Sequence, residues 1–452
     1  MTADLPVVAL LREMIRNRCV NDGTPGSGQE HRSVATLADF LGRAGEIVEP
    51  APGRQSVVYR VSGSEPGAPG LLLLPHLDVV PVNEAGWSVD PFGATISDGF
   101  VWGRGAVDML NLTAAMAVVF REYQRGTLPP LPGDLILAAV ADEEAAGGLG
   151  ARHLVEQRPE LVDAQYVLTE VAYPALATPT GPAFPVAVGE KGPFWSRLRS
   201  TGRPGHGSGP YLADNALEPM VGALGGLFDT PSPVAITEEW RRFVSLLGLP
   251  EDLSARLVDP DLVDQAIAEV AATDPGLAGY FHSSTHLTVS PNTVRGGTKA
   301  NMIPDRAEAE IDLRALPGMD RRFVDEHLRK AMGRFADRIE IQPVSDYLAN
   351  ASDRSDPLWQ AIEDSLQLLT GARRALPVLM PVATDARFFR ARGAAAYGVG
   401  WFDDRIGFSD FLSLFHGNDE RVSVDSLERT QRLLGAVVAR FGELTALDRA
   451  PG

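Results

Sequence analysis

The chain has 452 residues, of which 44% are hydrophobic and 22% are charged. This composition is ordinary for a globular protein and excludes a disordered, collagen-like or coiled-coil structure for the whole chain. At about 100–200 residues per domain, the length predicts two or three structural units with cores that need no disulfide. The net charge of −18 repels phosphate backbones, so no nucleic-acid partner is expected.

Cysteine usage and the N-terminus bear on the compartment. The single cysteine, Cys19, excludes an internal disulfide and fits a reducing compartment, although a cysteine-poor exported protein would look the same. No run of 18 apolar residues is present. The order Asp4, an apolar run over Leu5–Leu11 and then Arg12 is wrong for a signal peptide. We therefore predict a cytoplasmic protein without a membrane partner.

Helical patterns alternate with short apolar strands through the first 190 residues. The strands are predicted at Leu71–Leu74, Asp134–Ala141 and Gln165–Thr169. Continuous apolar strands between helices predict an α/β domain with a mostly parallel sheet covered on both faces. Each strand ends where polar residues begin, and ligands of open α/β sheets bind at the carboxyl ends of strands. These three strand ends therefore predict a functional site.

The middle of the chain predicts a smaller α+β domain over residues 193–347. Its elements follow the β-α-β-β-α-β order of a ferredoxin-like fold: strand Phe194–Ser200, helix Asn215–Leu227, strands His286–Ser290 and Ala307–Leu313, helix Phe323–Phe335 and strand Arg338–Pro343. An insertion at about 229–284 carries helical patterns over Thr237–Leu247 and Asp261–Ala272. The helix predicted at Pro357–Leu369 returns to the first domain, which is therefore discontinuous, over 1–192 and 348–452.

Several short motifs carry candidate chemistry, and each alone has a structural explanation. In His76-Leu77-Asp78, residues two apart point to the same side, so Asp78 could orient the ring of a metal-binding His76. Asp108 follows two glycines of a tight turn and could equally be a helix N-cap. The acidic run 142–144 is costly at a buried strand end without a cation, but could also be a solvated loop.

Taken together, these motifs predict a metal centre. Two histidines, His76 and His416, accompany several carboxylates, and no thiolate is among them. Imidazole and carboxylate ligands suit a catalytic zinc, cobalt or manganese site. One bridging carboxylate with two further ligands for each ion would give a two-metal site with open positions for water.

Further motifs extend this pattern from about Leu71 to Val422. In chain order they are His76-x-Asp78, Gly103-Arg104-Gly105-x-x-Asp108, Asp142-Glu143-Glu144, Glu170, Gly205-His206-Gly207-Ser208, Asn301-Met302-Ile303-Pro304, Asp312-x-Arg314 and Phe415-His416-Gly417. In order and spacing the chain resembles the M20 metallopeptidases. That co-catalytic zinc family includes aminoacylase, glutamate carboxypeptidase, acetylornithine deacetylase and succinyl-diaminopimelate desuccinylase.

The resemblance implies a zinc-exopeptidase-like catalytic domain with two divalent metals per chain, zinc in the first instance, with cobalt or manganese as alternatives. The implied metal ligands are His76 and Glu170 on one ion, Glu144 and His416 on the other, and Asp108 bridging both. Asp78 would support His76, and Glu143 would be the general base and then the general acid.

The smaller domain resembles the family's lid, which often also forms a homodimer. His206 would stabilise the oxyanion, frequently from the neighbouring subunit. Asn301 and Arg314 would hold the substrate's carboxylate, for which the two-pronged arginine is suited, and the backbone at Gly393 could meet the same group. The insertion at 229–284 distinguishes this chain from shorter members and resembles the longer, carboxypeptidase-S-like ones, so it puts the usual lid-to-lid dimer in doubt.

The predicted function is hydrolysis of the amide bond of a small-molecule N-acyl amino acid, or of a short peptide, with a free α-carboxylate. Glutamate at position 170 resembles the aminoacylase and carboxypeptidase branches, whereas aspartate is usual in the aminopeptidase and dipeptidase branches. A dipeptidase or aminopeptidase is the alternative. A non-catalytic, metal-stabilised binding protein is a further one, against which the presence of Glu143 argues.

Overall fold

The structure is a computed structural model that describes residues 5–447 apart from residues 180 and 372–374. Its helices are α1 (Pro6–Arg16), α2 (His31–Leu41), α3 (Leu110–Gln124), α4 (Ala151–Gln157), α5 (Leu217–Asp229), α6 (Glu238–Leu247), α7 (Glu251–Leu257), α8 (Val263–Ala271), α9 (Pro275–Thr285), α10 (Arg321–Met332), α11 (Pro357–Thr370), α12 (Ala386–Arg390), α13 (Phe408–Leu412) and α14 (Val424–Leu447). No helix in this described part of the chain has both the length and the apolar character needed to cross a bilayer.

The strands alternate with these helices along most of the chain. They are β1 (Glu46–Ala51), β2 (Arg54–Val61), β3 (Leu71–Leu73), β4 (Thr95–Ser97), β5 (Phe100–Trp102), β6 (Leu135–Ala139), β7 (Tyr166–Thr169), β8 (Leu176–Thr178), β9 (Gly181–Glu190), β10 (Gly192–Pro193), β11 (Ser196–Thr201), β12 (Gly205–His206), β13 (Thr288–Gly296), β14 (Met302–Ile303), β15 (Arg306–Ala315), β16 (Glu340–Pro343), β17 (Asn350–Ala351), β18 (Ala375–Met380), β19 (Ala395–Gly398) and β20 (Arg421–Ser423).

The largest sheet has the strand order β1-β2-β6-β3-β7-β19-β9-β17, with β8 and β18 also paired to β9. Its centre, β6-β3-β7-β19, is parallel, and the three predicted strands β3, β6 and β7 lie side by side there. Beyond this centre β2 runs antiparallel to β6 and β9 antiparallel to β19, while β18 is parallel to β9. The sheet is therefore mixed, and the expected parallel pairing holds for the central strands that carry the site and for β18 with β9.

Helices cover both faces of this sheet, as the continuous apolar strands require. α3 is buried along almost its whole length, because small and aliphatic residues let it pack tightly between the sheet and α14. α11 begins where the Asp356 side chain accepts hydrogen bonds from the backbone N–H groups of Leu358 and Trp359, at 2.9 and 3.0 Å. It ends at Gly371 in the left-handed conformation.

A second, antiparallel sheet has the order β10-β15-β11-β16, with β13 along the opposite edge of β15. The helices α5 and α10 contribute to its separate apolar core. In chain order β11, α5, β13, β15, α10 and β16 reproduce the predicted β-α-β-β-α-β pattern. The domain limits at 192/193 and 347/348 stay a prediction.

The insertion contains four helices, α6–α9, where the sequence predicted two. Its aromatic residues Trp240, Phe243, Tyr280 and Phe281 are buried and belong to the core of the large sheet, not to that of the smaller one. α6 lies against β18, and α9 against α13. The inserted helices therefore enlarge the catalytic half of the molecule, although they interrupt the sequence of the other half.

Candidate metal centre

Three parallel neighbours of the large sheet end at the same edge and deliver acidic or imidazole groups there. His76 follows β3, Glu143 and Glu144 follow β6, and Glu170 follows β7. Asp108 comes from the loop between β5 and α3, and His416 from the loop before β20. Because β20 pairs with β5, these two loops leave one small ladder side by side.

Asp108 lies between the two histidines. Its Oδ1 is 3.3 Å from His76 Nε2, and its Oδ2 is 3.2 Å from His416 Nε2. The remaining carboxylates flank this axis: Glu170 Oε2 lies 3.5 Å from His76 Nε2, and Glu144 Oε2 lies 3.3 Å from His416 Nε2. One carboxylate thus faces a histidine with each oxygen, and the Nε2 of each histidine has one further acidic partner, as the predicted bridge requires.

These donor atoms fit divalent cations. Two overlapping sets, His76 with Glu143 and Glu170, and His76 with Asp108 and Glu144, each bring their ligand atoms within 4.8 Å of one another. Glu144 Oε1 is buried without a hydrogen-bond partner. An unpartnered buried carboxylate oxygen among other acids is costly unless a cation occupies the centre. Nitrogen and oxygen donors without thiolate suit zinc, cobalt or manganese.

Glu143 and Glu144 differ in their surroundings. Glu144 contacts His416, whereas no histidine nitrogen in the described chain lies within 4.0 Å of a Glu143 carboxylate oxygen. Glu143 nevertheless falls within ligand distance of His76 and Glu170. The ion pairs favour Glu144 as the ligand beside His416 and leave Glu143 as the unpaired acid of the two.

The protonation of the cluster reflects crowded negative charge. Burial, followed by the neighbouring carboxylate of Asp108, raises the pKa of Glu144 to about 7. Burial and the Glu170 carboxylate raise the pKa of Glu143 well above its usual range. Burial disfavours a charged His76, but Asp108 and Glu170 outweigh this effect and raise its pKa. Histidine protons thus offset the acids here, a role that bound cations would take over.

Asp78 is fully buried behind the cluster and supports two parts of it. Its carboxylate accepts hydrogen bonds from the backbone N–H groups of Glu143 and Glu144, at 3.2 and 3.1 Å. The Nδ1 of His76 lies 2.9 Å from the Asp78 carbonyl and 3.6 Å from its carboxylate. The carbonyl therefore orients the imidazole, as carbonyls often do behind metal-binding histidines, while the carboxylate holds the loop of the glutamate pair.

A buried network that the sequence analysis missed stands behind Asp78. Asn21 donates to the Asp78 carboxylate at 2.8 Å and to Asp142 at 3.3 Å. Arg54 pairs with Asp142 at 2.6 Å and with Glu30 at 2.9 Å. Asp142, the first acid of the predicted run, is thus a partner of Arg54. Only its place beside the glutamate pair could have drawn attention to it.

A cavity of about 340 Å³ opens over the cluster. Its lining includes Arg314 together with the aromatic side chains Trp195, Tyr347 and Phe415. The structure thus brings the predicted Arg314 to the same cavity as Asp108, Glu143, Glu144, Glu170 and His416. The Arg314 guanidinium lies over the Trp195 ring and forms a two-pronged pair with Asp312, at 2.7 and 3.0 Å.

The other predicted substrate residues lie elsewhere. His206 and Asn301 are exposed at the short β12–β14 ladder, where Gly207 N–H donates to the Asn301 carbonyl at 2.8 Å, and neither lines the cavity. Gly393 lines a different cavity, with Val155 and Phe389. Gly393 does not line the cavity over the metal cluster, and its predicted contact with the substrate carboxylate stays a prediction.

The α/β domain holds two histidines around a shared aspartate near the edge of its sheet, and a smaller domain borders the cavity. This arrangement is that of a metal-dependent hydrolase with a two-metal centre. The chain belongs to the peptidase family M20/M25/M40, whose model matches residues 72–440.

The proteins that this chain is similar to match it over nearly its whole length. Aminoacylase-1 of Sus scrofa is 29% identical over 428 residues, which cover 92% of this chain and 90% of that protein. Acetylornithine deacetylase of Edwardsiella ictaluri is 28% identical, with 98% and 99% covered. The fold is similar to that of the M20 family metallo-carboxypeptidase Sso-CP2 from Sulfolobus solfataricus, with a TM-score of 0.75 and 18% identity over 97% of this chain and 99% of that one.

Proposed function

We propose that the chain is an aminoacylase- or carboxypeptidase-type hydrolase that releases an amino acid from N-acyl amino acids or short peptides with a free α-carboxylate. The observation that carries the proposal is the Asp108 carboxylate between His76 and His416, in one cavity with the guanidinium of Arg314. The carboxylate between the two histidines can hold metals that activate water, and the Arg314 guanidinium can bind an anionic group of the substrate.

Two zinc ions are proposed as the resident metals. His76, Asp108 and Glu170 would hold one, and Asp108, Glu144 and His416 the other. When bound, such a pair acts as a Lewis acid on the scissile carbonyl and makes water more acidic. Three protein ligands for each ion leave open positions, as catalytic zinc sites require.

Glu143 is the proposed proton carrier. Its backbone N–H bonds to Asp78, so the chain holds this residue through its main chain and leaves the carboxylate free to face the cavity. Burial and the Glu170 carboxylate raise its pKa towards the range in which a carboxyl group can both accept and return a proton. Glu143 would take a proton from water and deliver it to the leaving amine.

Arg314 is the proposed receptor for the substrate carboxylate. Its planar fork can hold a carboxylate with two hydrogen bonds, and Asp312 shows that it does so within the chain. The substrate would share or replace that contact. The Trp195, Tyr347 and Phe415 side chains would contact the apolar part of the substrate. The names of the two relatives, an aminoacylase and an acetylornithine deacetylase, support an acylated amino acid over a free peptide.

His206 and Asn301 are proposed to act from the lid, His206 on the oxyanion and Asn301 on the carboxylate. Their exposed position fits delivery by a neighbouring subunit in a homodimer, or by closure of the lid. Helices α6–α9 pack on the catalytic core and not on the lid core, which leaves the exposed strand β13 free for such an assembly. The low cysteine content supports a cytoplasmic enzyme.

The test is a substrate panel with purified protein and added zinc, cobalt or manganese. N-acetyl amino acids, their α-amides and unblocked dipeptides are compared, with Glu143→Gln as the inactive control. Hydrolysis of the acetylated acids, with little turnover of the amides, supports the proposal. Preferred turnover of unblocked dipeptides assigns the chain to the dipeptidase alternative, and no turnover of any amide by metal-loaded protein refutes hydrolase activity.

A further inference from the structure

Glu420 is a fully buried carboxylate that the proposed chemistry does not use. It lies four residues beyond His416, beneath the loop that carries Asp108. Its Oε1 accepts hydrogen bonds from the backbone N–H groups of Val107 and Asp108, at 2.6 and 3.0 Å. Its Oε2 accepts one from Gly105 N–H at 3.0 Å. One side chain thus accepts hydrogen bonds from three backbone N–H groups of the loop that ends at the proposed bridging ligand.

Arg104 completes the connection in the opposite direction. It belongs to the Asp108 loop, and its Nη1 pairs with Glu420 Oε2 at 2.7 Å. Its Nη2 donates to the backbone carbonyl of His416 at 3.1 Å. The guanidinium is buried and lies over the ring of Trp87. Each loop therefore holds the main chain of the other beside a proposed metal ligand.

The direct backbone hydrogen bonds between the two loops, in the described part of the chain, do not reach either proposed ligand. The β5–β20 ladder pairs Trp102 with Arg421, and Gly103 N–H donates to the Glu420 carbonyl at 2.9 Å, so Asp108 and His416 both lie beyond these hydrogen bonds. His416 also has a left-handed backbone conformation, with φ at 58°, and its side chain is 55% exposed. Such a residue keeps one position only where its surroundings hold the main chain.

We infer that Glu420 and Arg104 are positioning residues that set the separation of Asp108 and His416. They thereby set the affinity for the metal ion beside His416, called the second metal below. The inference rests on the proposed two-metal centre, but not on the substrate. Loss of hydrogen-bonded partners behind metal ligands typically lowers metal affinity by about 10–100-fold. Because His416 serves one ion and Asp108 both, the larger loss falls on the ion beside His416.

A matched ion pair elsewhere separates positioning from general stability. Arg390 Nη1 and Glu190 Oε1 are also 2.7 Å apart and equally buried, with side chains 4% and 2% exposed. Neither residue is a proposed metal ligand or lies next to one in sequence. Glu190→Gln thus shows how far neutralising one partner of a buried ion pair lowers stability and zinc affinity in general. Glu420→Gln shows the same general effect together with any specific effect on the metals.

The experiment titrates zinc into metal-free protein in competition with a chromophoric chelator, and records the thermal unfolding of the same metal-free samples. Both glutamine variants are expected to lower Tm. Only Glu420→Gln should weaken the second zinc by about 10–100-fold, with a smaller effect on the first. Arg104→Lys keeps a positive charge beside Glu420, but an ammonium lacks the planar fork that also reaches the His416 carbonyl. Arg104→Lys should therefore lose affinity only for the second zinc. If Glu420→Gln does not fold, Arg104→Lys alone tests the inference.

Wild-type affinity for both zinc ions in Glu420→Gln and Arg104→Lys overturns the inference. So does an equal loss of zinc affinity in Glu190→Gln, because the effect would then be general. A wild-type protein that binds only one zinc overturns it as well. Failure of the substrate panel leaves the titration unaffected, so the two proposals are tested separately.

Discussion

Exchanging Glu143 and Glu144 for glutamine, one at a time, separates a proton carrier from a metal ligand. The two residues are neighbours, and the Asp78 carboxylate holds both through their backbone N–H groups. Neither exchange removes those hydrogen bonds, so the loop should keep its position in both variants. The side chains differ, because only Glu144 contacts His416, at 3.3 Å.

The expected effects differ accordingly. Glu143→Gln keeps the size of the side chain and removes its basicity, so kcat should fall by about 10²–10⁴-fold while both metals stay bound. At about 1.4 kcal/mol for each factor of ten, the loss corresponds to about 3–5 kcal/mol of transition-state stabilisation. Glu144→Gln should instead release the metal beside His416, because a neutral amide is a far weaker ligand than a carboxylate.

The assays are metal content after gel filtration, substrate affinity at equilibrium and single-turnover rates, measured for both variants with and without excess zinc. Excess zinc should partly restore Glu144→Gln and leave Glu143→Gln inactive. If Glu143→Gln loses a metal while Glu144→Gln keeps both and stalls, the two roles are reversed. Normal turnover by Glu143→Gln would refute the general-base mechanism itself.

Four further predictions follow from single residues. Asp108→Ala should weaken both metals in a protein that otherwise binds two per chain, which elemental analysis checks. Arg314→Lys should lower kcat/KM for N-acyl amino acids but not for their α-amides, because lysine cannot reproduce a two-pronged grip; equal losses on both would contradict this role. Burial raises the pKa of Cys19 to about 11 and leaves it 2% exposed, so a maleimide should label it only after unfolding at pH 7.5. Phe281→Ala should cost about 3–5 kcal/mol in urea unfolding, because the ring is fully buried against the core of the large sheet; a loss below about 1 kcal/mol would show that the inserted helices pack loosely.

The cluster of proposed metal ligands was predictable because local pattern and position agree there. A run such as Leu71–Leu73 marks a buried strand, and the polar residue after it must lie at the sheet edge. Adjacent parallel strands then bring His76 and Glu170 together, although 93 residues separate them. Helix α10 was equally clear, because Val324, Leu328 and Met332 share one buried face.

What the sequence did not reveal depends on contacts between distant segments. Glu420 and Arg104 are 316 residues apart, and neither has a local pattern that names its partner. The amphipathic helices of the insertion show an apolar face, but not which sheet it covers. Strand β9 contains Pro182 and Pro185, which disfavour a strand in isolation, and its pairing with β8, β18 and β19 overrides that preference.

The position of β19 has a consequence for how the protein is made. This strand lies between β7 and β9 in the sheet, yet it is synthesised more than 200 residues after both. Until then, the edge of β7 that pairs with β19 over Tyr166–Thr169 has no partner, and exposed edges recruit other strands. A nascent or truncated chain that stops before Ala395 would carry four of the five proposed metal ligands and still be prone to aggregate. Pairing of β19 with β7, and not the binding of metal, is therefore the step that closes this edge of the sheet.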